Sequence, residues 1–108
     1  MSEYIQVVTT LPSEEQANHM VEHLVREHLA ACAQISGPIA STYRWQGLIE
    51  SAEEWVVVAK TRLDRYEAIE AAVRKLHPYQ VPEITALPMV AISQSYREWI
   101  DQALVVVG

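Results

Sequence analysis

The spacing of hydrophobic positions at the start of the chain predicts a strand followed by a helix. A β-rich run from Tyr4 to Thr9 has the composition of a strand. Ser13, followed three residues later by Gln16, has the pattern of a capping box, which marks a helix start. The side chains that then recur every three or four residues define one helix face; they are Ala17, Met20, Val21, Leu24, Val25 and His28.

The middle of the chain predicts a long β-hairpin. One extended arm is expected over residues 31–45, and Gly37-Pro38 within it predicts a bulge or kink. Gln46-Gly47 is a plausible tight turn. The return arm is predicted over residues 48–61, and its second half, from Trp55, is strongly β-prone.

A second amphipathic helix is predicted after the hairpin. Asp64 with Glu67 repeats the capping pattern, and apolar residues follow at helical spacing. The helix is expected to end near His77, because Pro78 disfavours helical geometry in the residue before it.

The last part of the chain predicts a strand, a third helix and a short final strand. Residues 84–92 have strand character, and Pro88 within them points to an edge strand or a bulge. Ser95 with Glu98 is expected to cap the third helix, and residues 104–107 to form the last strand.

This order of elements predicts an α+β fold with a ferredoxin-like, split βαβ arrangement. Two helices are expected to cover one face of an antiparallel sheet, with the hairpin unusually long and the third helix an addition at the C-terminus. The whole chain, residues 1–108, is predicted to be a single domain.

The length of the hairpin predicts an oligomer. An arm of about 15 residues spans roughly 50 Å, whereas a 16-residue helix covers only about 24 Å. The outer half of the hairpin carries Tyr43, Trp45, Leu48 and Ile49, which are costly to leave in water as one patch. We expect a neighbouring subunit to cover these four residues.

Charge and composition exclude several classes of function. The formal net charge of -6 and the scattered basic residues argue against binding to nucleic acid. No apolar run approaches the roughly 18 residues of a membrane span, and the start of the chain lacks the pattern of a signal peptide. A cytoplasmic location and no membrane partner are therefore expected.

Several segments, in order along the chain, resemble the CutA family of divalent-cation tolerance proteins. The segments are His77-Pro78-Tyr79-Gln80-Val81-Pro82-Glu83-Ile84, the run from Leu29 to Ile35, the run from Ser41 to Gly47, Lys60-Thr61, and Tyr96 with Trp99-Ile100. The resemblance implies a ferredoxin-like subunit in a homotrimer similar to P-II signalling proteins. It also implies clefts between subunits, for which we predict the residues Lys60, Tyr79, Pro82, Glu83 and Trp45.

Three residues are candidate metal ligands. His77 belongs to the resembling loop, and neutral imidazole suits copper and zinc; its alternative role is a helix C-cap. Cys32 is a soft ligand or a small buried hydrophobe, and Glu83 offers a carboxylate or a structural hydrogen bond. Some relatives are credited with a copper site formed by this histidine, a preceding histidine and a cysteine. Those two other positions correspond here to Leu76 and Thr9.

Other chemically notable residues have structural interpretations beside functional ones. His19-Met20-Val21-Glu22-His23 matches the H-x-x-E-H pattern of some zinc proteases. However, His19 and His23 lie nearly opposite the apolar helix face, so they are expected in solvent with incidental metal affinity. His28 is expected to be a packed or helix-end histidine. Lys60 is either a pocket cation or a surface residue. Trp45, Trp55 and Trp99 are expected at interfaces and in the core.

No combination of residues in the sequence predicts catalysis, and we expect a non-enzymatic protein. The leading prediction is a trimeric divalent-cation tolerance protein that binds or responds to copper or another divalent ion, with no cofactor required. The alternatives are a P-II-like regulatory module that senses a small ligand and a structural or interaction trimer.

Overall fold

The computed structural model describes residues 3–106, which form four strands, three α-helices and one 3₁₀ turn. The elements are β1 (Tyr4–Leu11), α1 (Glu14–Arg26), β2 (Cys32–Trp45), β3 (Leu48–Arg62), the 3₁₀ turn (Leu63–Arg65), α2 (Tyr66–Leu76), β4 (Thr85–Pro88) and α3 (Gln94–Ala103). None of the helices in these residues is long and apolar enough to cross a membrane.

The strands form one antiparallel sheet in the order β2-β3-β1-β4. The central strand β1 pairs with β3 along its whole length, and Val7 lies opposite Ala59. On its other side it pairs with the short edge strand β4. This is the ferredoxin-like arrangement, so the predicted fold class is confirmed.

Successive side chains along each strand point to opposite faces of the sheet, so neighbouring residues belong to different clusters of buried side chains. Ile5, Val7 and Leu11 of β1 belong to the main core, where they pack with buried residues of α1 and α2 such as Met20 and Ile69. The adjacent position Tyr4 belongs to a second cluster, together with Ala31, Ile100 and Leu104. The helices α1 and α2 therefore cover one face, and α3 covers one end of the other.

Local sequence determines the ends of α1. Ser13 is the N-cap, and its hydroxyl accepts a hydrogen bond from the Gln16 amide at 3.1 Å, so the predicted helix start is confirmed. The helix ends at Arg26, and His28 follows in the left-handed conformation with φ 57°.

The start of α2 differs from the prediction, whereas its end agrees. The prediction that Asp64 caps α2 is wrong, because the chain first forms the 3₁₀ turn and Arg65 becomes the N-cap residue without a side-chain bond. The Asp64 carboxylate instead accepts hydrogen bonds from Arg62 at 3.2 and 3.3 Å. The helix ends before His77, as Pro78 led us to expect.

The last third of the chain also corrects three predictions. The strand predicted over 84–92 is limited to Thr85–Pro88, because its partner β1 begins at Tyr4, whose carbonyl oxygen accepts a hydrogen bond from the Met89 amide at 2.9 Å. Ser93, not Ser95, caps α3, and its hydroxyl accepts from the Tyr96 amide at 3.3 Å. The predicted final strand is absent over 104–106, where Leu104 is the C-cap of α3; Val107 lies outside the described residues.

The hairpin of β2 and β3 is as long as predicted, with arms of 14 and 15 residues. The register shifts between Ser36 and Ile39, which confirms the bulge at Gly37-Pro38. Gln46 and Gly47 both have positive φ, as a two-residue hairpin turn of type I′ requires. At the outer end Tyr43, Trp45, Leu48 and Ile49 are 43%, 40%, 65% and 69% exposed in the isolated subunit.

Candidate functional site

A cleft of about 840 Å³ lies between the hairpin and the loop that follows α2. Its walls come from the outer part of β2, one residue of β3, the end of β1 and the Pro-rich loop (residues 77–84). The lining residues are Thr10, Ser41, Thr42, Tyr43, Arg44, Trp45, Glu54, Pro78, Tyr79, Gln80, Val81, Pro82 and Glu83.

The pair formed by Glu54 and Tyr79 is the most unusual feature of this cleft. Glu54 is only 6% exposed, and the Tyr79 hydroxyl donates to its Oε2 at 2.9 Å. Burial, followed by the hydrogen bond to Glu54 and the charge of Glu54, raises the pKa of Tyr79 to about 12. Tyr79 is therefore a neutral donor at ordinary pH. Within residues 3–106, Glu54 forms no ion pair.

His77 holds the loop against the sheet. The Tyr79 amide donates to Nδ1 at 3.1 Å, so Nδ1 is the acceptor. The ring therefore carries its proton on Nε2, which donates to the carbonyl oxygen of Thr10 at 2.7 Å. His77 is 8% exposed, and both ring nitrogens are occupied. A metal ion bound by His77 would have to replace one of these two bonds.

The structure brings together four of the five residues predicted for the cleft. Trp45, Tyr79, Pro82 and Glu83 all line it. Lys60 does not line the cleft of the single subunit, because it lies further along β3, where its ammonium group is 6.0 Å from the centroid of the Tyr96 ring.

Cys32 is also distant from the cleft. On β2 it lies opposite Lys60 of β3, whereas Glu54 lies six residues earlier in β3, which corresponds to about 20 Å. The thiol of Cys32 is half-buried and lies 3.5 Å from the Tyr96 hydroxyl. This contact, followed by burial, raises the pKa of Tyr96 to about 12.

The predicted metal ligands are therefore not assembled within one subunit. His77 and Glu83 belong to the same loop, and Cys32 lies at the other end of the hairpin. No three histidine, cysteine, aspartate or glutamate side chains within residues 3–106 are arranged to hold a metal ion. The three assignments stay predictions.

The remaining histidines and tryptophans have different surroundings. His28 is half-buried, and its Nδ1 lies 3.2 Å from the carbonyl oxygen of Ala103, as a packed helix-end histidine would. His19 is exposed and His23 half-buried on α1. Trp55 packs against the main core, and Trp99 stacks on Tyr96 at 5.5 Å between ring centroids.

Sequence reasoning missed Glu54, Arg44 and Thr10 as cleft residues. The sequence places Glu54 directly before the apolar half of β3. Because successive side chains of a strand point to opposite faces of the sheet, Glu54 lies on the face opposite Trp55 and Val57, and this position could have indicated its role. That face carries no helix near Glu54, so only the position of the Pro-rich loop determines that its carboxylate is buried.

Comparison with known proteins gives a consistent result. A family model described as CutA1 divalent ion tolerance protein matches residues 5–103. The divalent-cation tolerance protein CutA of Thermus thermophilus is 40% identical over 96 residues, which cover 89% of this chain and 93% of that protein.

Solved structures agree with this match. The crystal structure of CutA from Xylella fastidiosa has a TM-score of 0.92 at 33% identity, covering 96% of this chain and 100% of that one. The structure of the periplasmic divalent cation tolerance protein CutA from Archaeoglobus fulgidus has a TM-score of 0.91 at 32% identity, covering 94% and 99% of the two chains.

Proposed function

The chain belongs to the CutA1 divalent ion tolerance family, and from this premise we propose that it acts as a homotrimer that binds a divalent cation in the cleft at Glu54. The proposed role is non-catalytic: the protein binds or responds to the ion without transforming a substrate.

The buried carboxylate of Glu54 is the observation that carries the cation proposal. Buried charges in proteins are normally paired or coordinate metals. The only hydrogen bond to this carboxylate in the described part of the chain comes from Tyr79, which donates a proton and carries no charge. A divalent ion would supply the missing positive charge, and Glu83 in the same cleft would offer further oxygen ligands.

The exposed apolar surface supports the trimer proposal. In the isolated subunit, the predicted interface residues Tyr43, Trp45, Leu48 and Ile49 form an apolar patch at the end of the hairpin. The sheet face opposite α1 and α2 is covered by helix α3 at one end only. Pairing with two further copies would bury both surfaces, and it would place residues of a neighbouring subunit beside the cleft.

Calorimetric titration of Zn(II), Mn(II) and Cu(II) into the full-length protein tests the cation proposal. The wild type is expected to bind one ion per subunit in the cleft, and Glu54→Gln to abolish that binding while keeping an oxygen for the Tyr79 hydroxyl. Glu53→Gln is the matched control, because Glu53 is the exposed neighbour and the change in charge is the same. Equal binding by both variants would reject Glu54 as the ligand.

His77 and Cys32 remain proposed ligands, and the same titration tests them. Copper prefers nitrogen and sulfur ligands, so loss of Cu(II) binding in His77→Gln or Cys32→Ser, with Zn(II) binding unchanged, would support a separate copper site. A cytoplasmic location likewise remains a prediction, which fractionation of cells that express the protein would test.

Light scattering on the purified protein tests the trimer. The expected mass is about three times the 12.2 kDa of one subunit. A charged residue at Leu48 or Ile49 is expected to shift the mass towards the monomer, because it would be buried unpaired at the interface. A monomeric wild type at micromolar concentration would contradict the proposal.

The size of the cleft favours a small organic ligand as a second candidate. A volume of about 840 Å³ is within the range of small-molecule sites, and Tyr43 and Trp45 provide aromatic walls next to the guanidinium of Arg44. This would make the protein a ligand-sensing module. A thermal-shift screen of anionic metabolites, with Arg44→Gln as the control, distinguishes it from a cation site.

A further inference from the structure

The four histidines of this protein differ in whether their ring nitrogens are occupied. His77 uses both nitrogens and His28 lies against a backbone carbonyl. The imidazole rings of His19 and His23 take part in no hydrogen bond, ion pair or ring contact among residues 3–106. Their nitrogens are therefore available to an external ligand.

The two unoccupied histidines lie one turn apart on the same helix. Both belong to α1, which is continuous from Glu14 to Arg26. Residues four apart on a helix have Cβ atoms roughly 5–6 Å from each other on one face. Two imidazoles with this spacing bind zinc together in helical metal sites.

Carboxylates extend the same row of side chains in both directions. Glu15 lies four residues before His19, and Glu27 four residues after His23. Glu22, the other nearby carboxylate, pairs with Arg26 instead. The negative charges at both ends of the row, on a protein of net charge -6, favour a cation at the histidine pair.

We propose that His19 and His23 chelate one divalent transition-metal ion on the outer surface of α1. Three protein ligands are not gathered around one point in the described residues, so the chelate has two imidazole ligands and water completes the coordination. Imidazole ligands select zinc, copper and nickel over magnesium and calcium. This site is independent of the proposed function, because the residues that line the cleft include neither histidine.

The position of α1 keeps this site open in the proposed trimer. The helix covers the sheet face opposite the one proposed to contact neighbouring subunits. His19 is exposed and borders a shallow depression of about 350 Å³ beside Leu76, and His23 is half-buried. Each subunit would therefore carry one accessible site.

Titration of Zn(II) into the full-length protein, followed by the NMR signals of the histidine rings, tests the proposal. The ring signals of His19 and His23 are expected to shift together, with one midpoint. The ring signals of His28 serve as a probe of the fold, and those of His77 as a probe of the cleft. Replacement of either histidine by glutamine is expected to weaken binding at this site by at least about tenfold, since even changes outside the ligand shell cost roughly 10–100-fold in metal affinity.

A variant that exchanges residues 18 and 19 is the matched control. Asn18→His with His19→Asn keeps composition, charge and the number of exposed histidines, since both positions are exposed. It places the histidines five residues apart, on different sides of the helix. The exchange is expected to weaken Zn(II) binding as much as a single glutamine variant does.

Two results would overturn the proposal. One is an exchange variant that binds Zn(II) at residues 18 and 23 as tightly as the wild type binds it at 19 and 23. The other is a wild type in which the two ring signals do not move or move with separate midpoints. Glu54→Gln separates this test from the proposed function, because it should remove binding in the cleft and leave the shifts of His19 and His23 intact.

Discussion

Replacement of Tyr79 by phenylalanine tests the physical basis of the cleft. The change removes only the hydroxyl that donates to Glu54 at 2.9 Å. The aromatic ring remains, so its contact with His77 at 4.9 Å between centroids should persist. The buried carboxylate loses its only hydrogen-bond donor in the described residues.

The energetic cost follows from the kind of hydrogen bond that is removed. A hydrogen bond to a charged group contributes about 1.5–3 kcal/mol. Because Tyr79 is only half-buried, solvent screening reduces this value. We expect Tyr79→Phe to lower the free energy of unfolding by about 1–2 kcal/mol at pH 8.

The raised pKa of Tyr79 predicts how the stability of the protein depends on pH. The unfolded chain ionises Tyr79 near pH 10, whereas the folded protein keeps the proton until about pH 12. Unfolding in this interval releases a proton, so a rising pH favours the unfolded state. The contribution of the Tyr79 hydroxyl is fully present below pH 10 and is lost towards pH 12. The difference in stability between wild type and Tyr79→Phe should therefore shrink over that interval.

Denaturant unfolding at a fixed subunit concentration measures these differences, and Tyr66→Phe is the matched control. Tyr66 also donates to a glutamate, Glu70, at 3.0 Å, but the Glu70 side chain is 40% exposed and has Arg74 as a second partner. Loss of this hydrogen bond is expected to cost about 0.5 kcal/mol or less. If Tyr79→Phe costs no more than Tyr66→Phe at pH 8, the buried carboxylate is not held by this bond and the reasoning fails.

Three further predictions can be checked in the same unfolding assay. Thr9→Val should be neutral or stabilising by up to about 1 kcal/mol, because the Thr9 hydroxyl is buried with no hydrogen-bond partner in the described residues. A decrease in the free energy of unfolding by more than about 1 kcal/mol would show that the hydroxyl has such a partner. Gly37→Ala should lower the free energy of unfolding by about 1–3 kcal/mol, since the new Cβ would lie 2.9–3.1 Å from atoms of β3 at φ 152°. The new Cβ of Gly47→Ala would meet nothing within 4 Å, so this substitution should lower the free energy by less. The reverse order would contradict this prediction. Ser93→Ala should cost about 1 kcal/mol and Ser95→Ala almost nothing, and equal losses would argue against Ser93 as the cap of α3.

Features determined by neighbouring residues were predictable from sequence. The Ser13 cap and the end of α2 at Pro78 depend on residues within one helical turn, and the structure confirms both. The bulge at Gly37-Pro38 and the turn at Gln46-Gly47 were equally predictable, because proline fixes the local backbone and glycine permits conformations that other residues avoid.

Features that depend on distant residues were not predictable. The bond between Glu54 and Tyr79 joins residues 25 apart, and the bond between His77 and Thr10 joins residues 67 apart. Both depend on where the Pro-rich loop returns to the sheet. The prediction of the α3 cap was wrong for a related reason. Ser93 and Ser95 are both suitable N-cap residues, and the position where β4 ends decides between them.

The most direct test of the account is a crystal structure of the protein grown with Zn(II), with anomalous diffraction data to locate the metal. We predict an anomalous peak in the cleft of each subunit of a trimer, about 2.0–2.2 Å from a carboxylate oxygen of Glu54. A trimer with no peak at Glu54, even if zinc occupies the pair of His19 and His23, would contradict the proposed function.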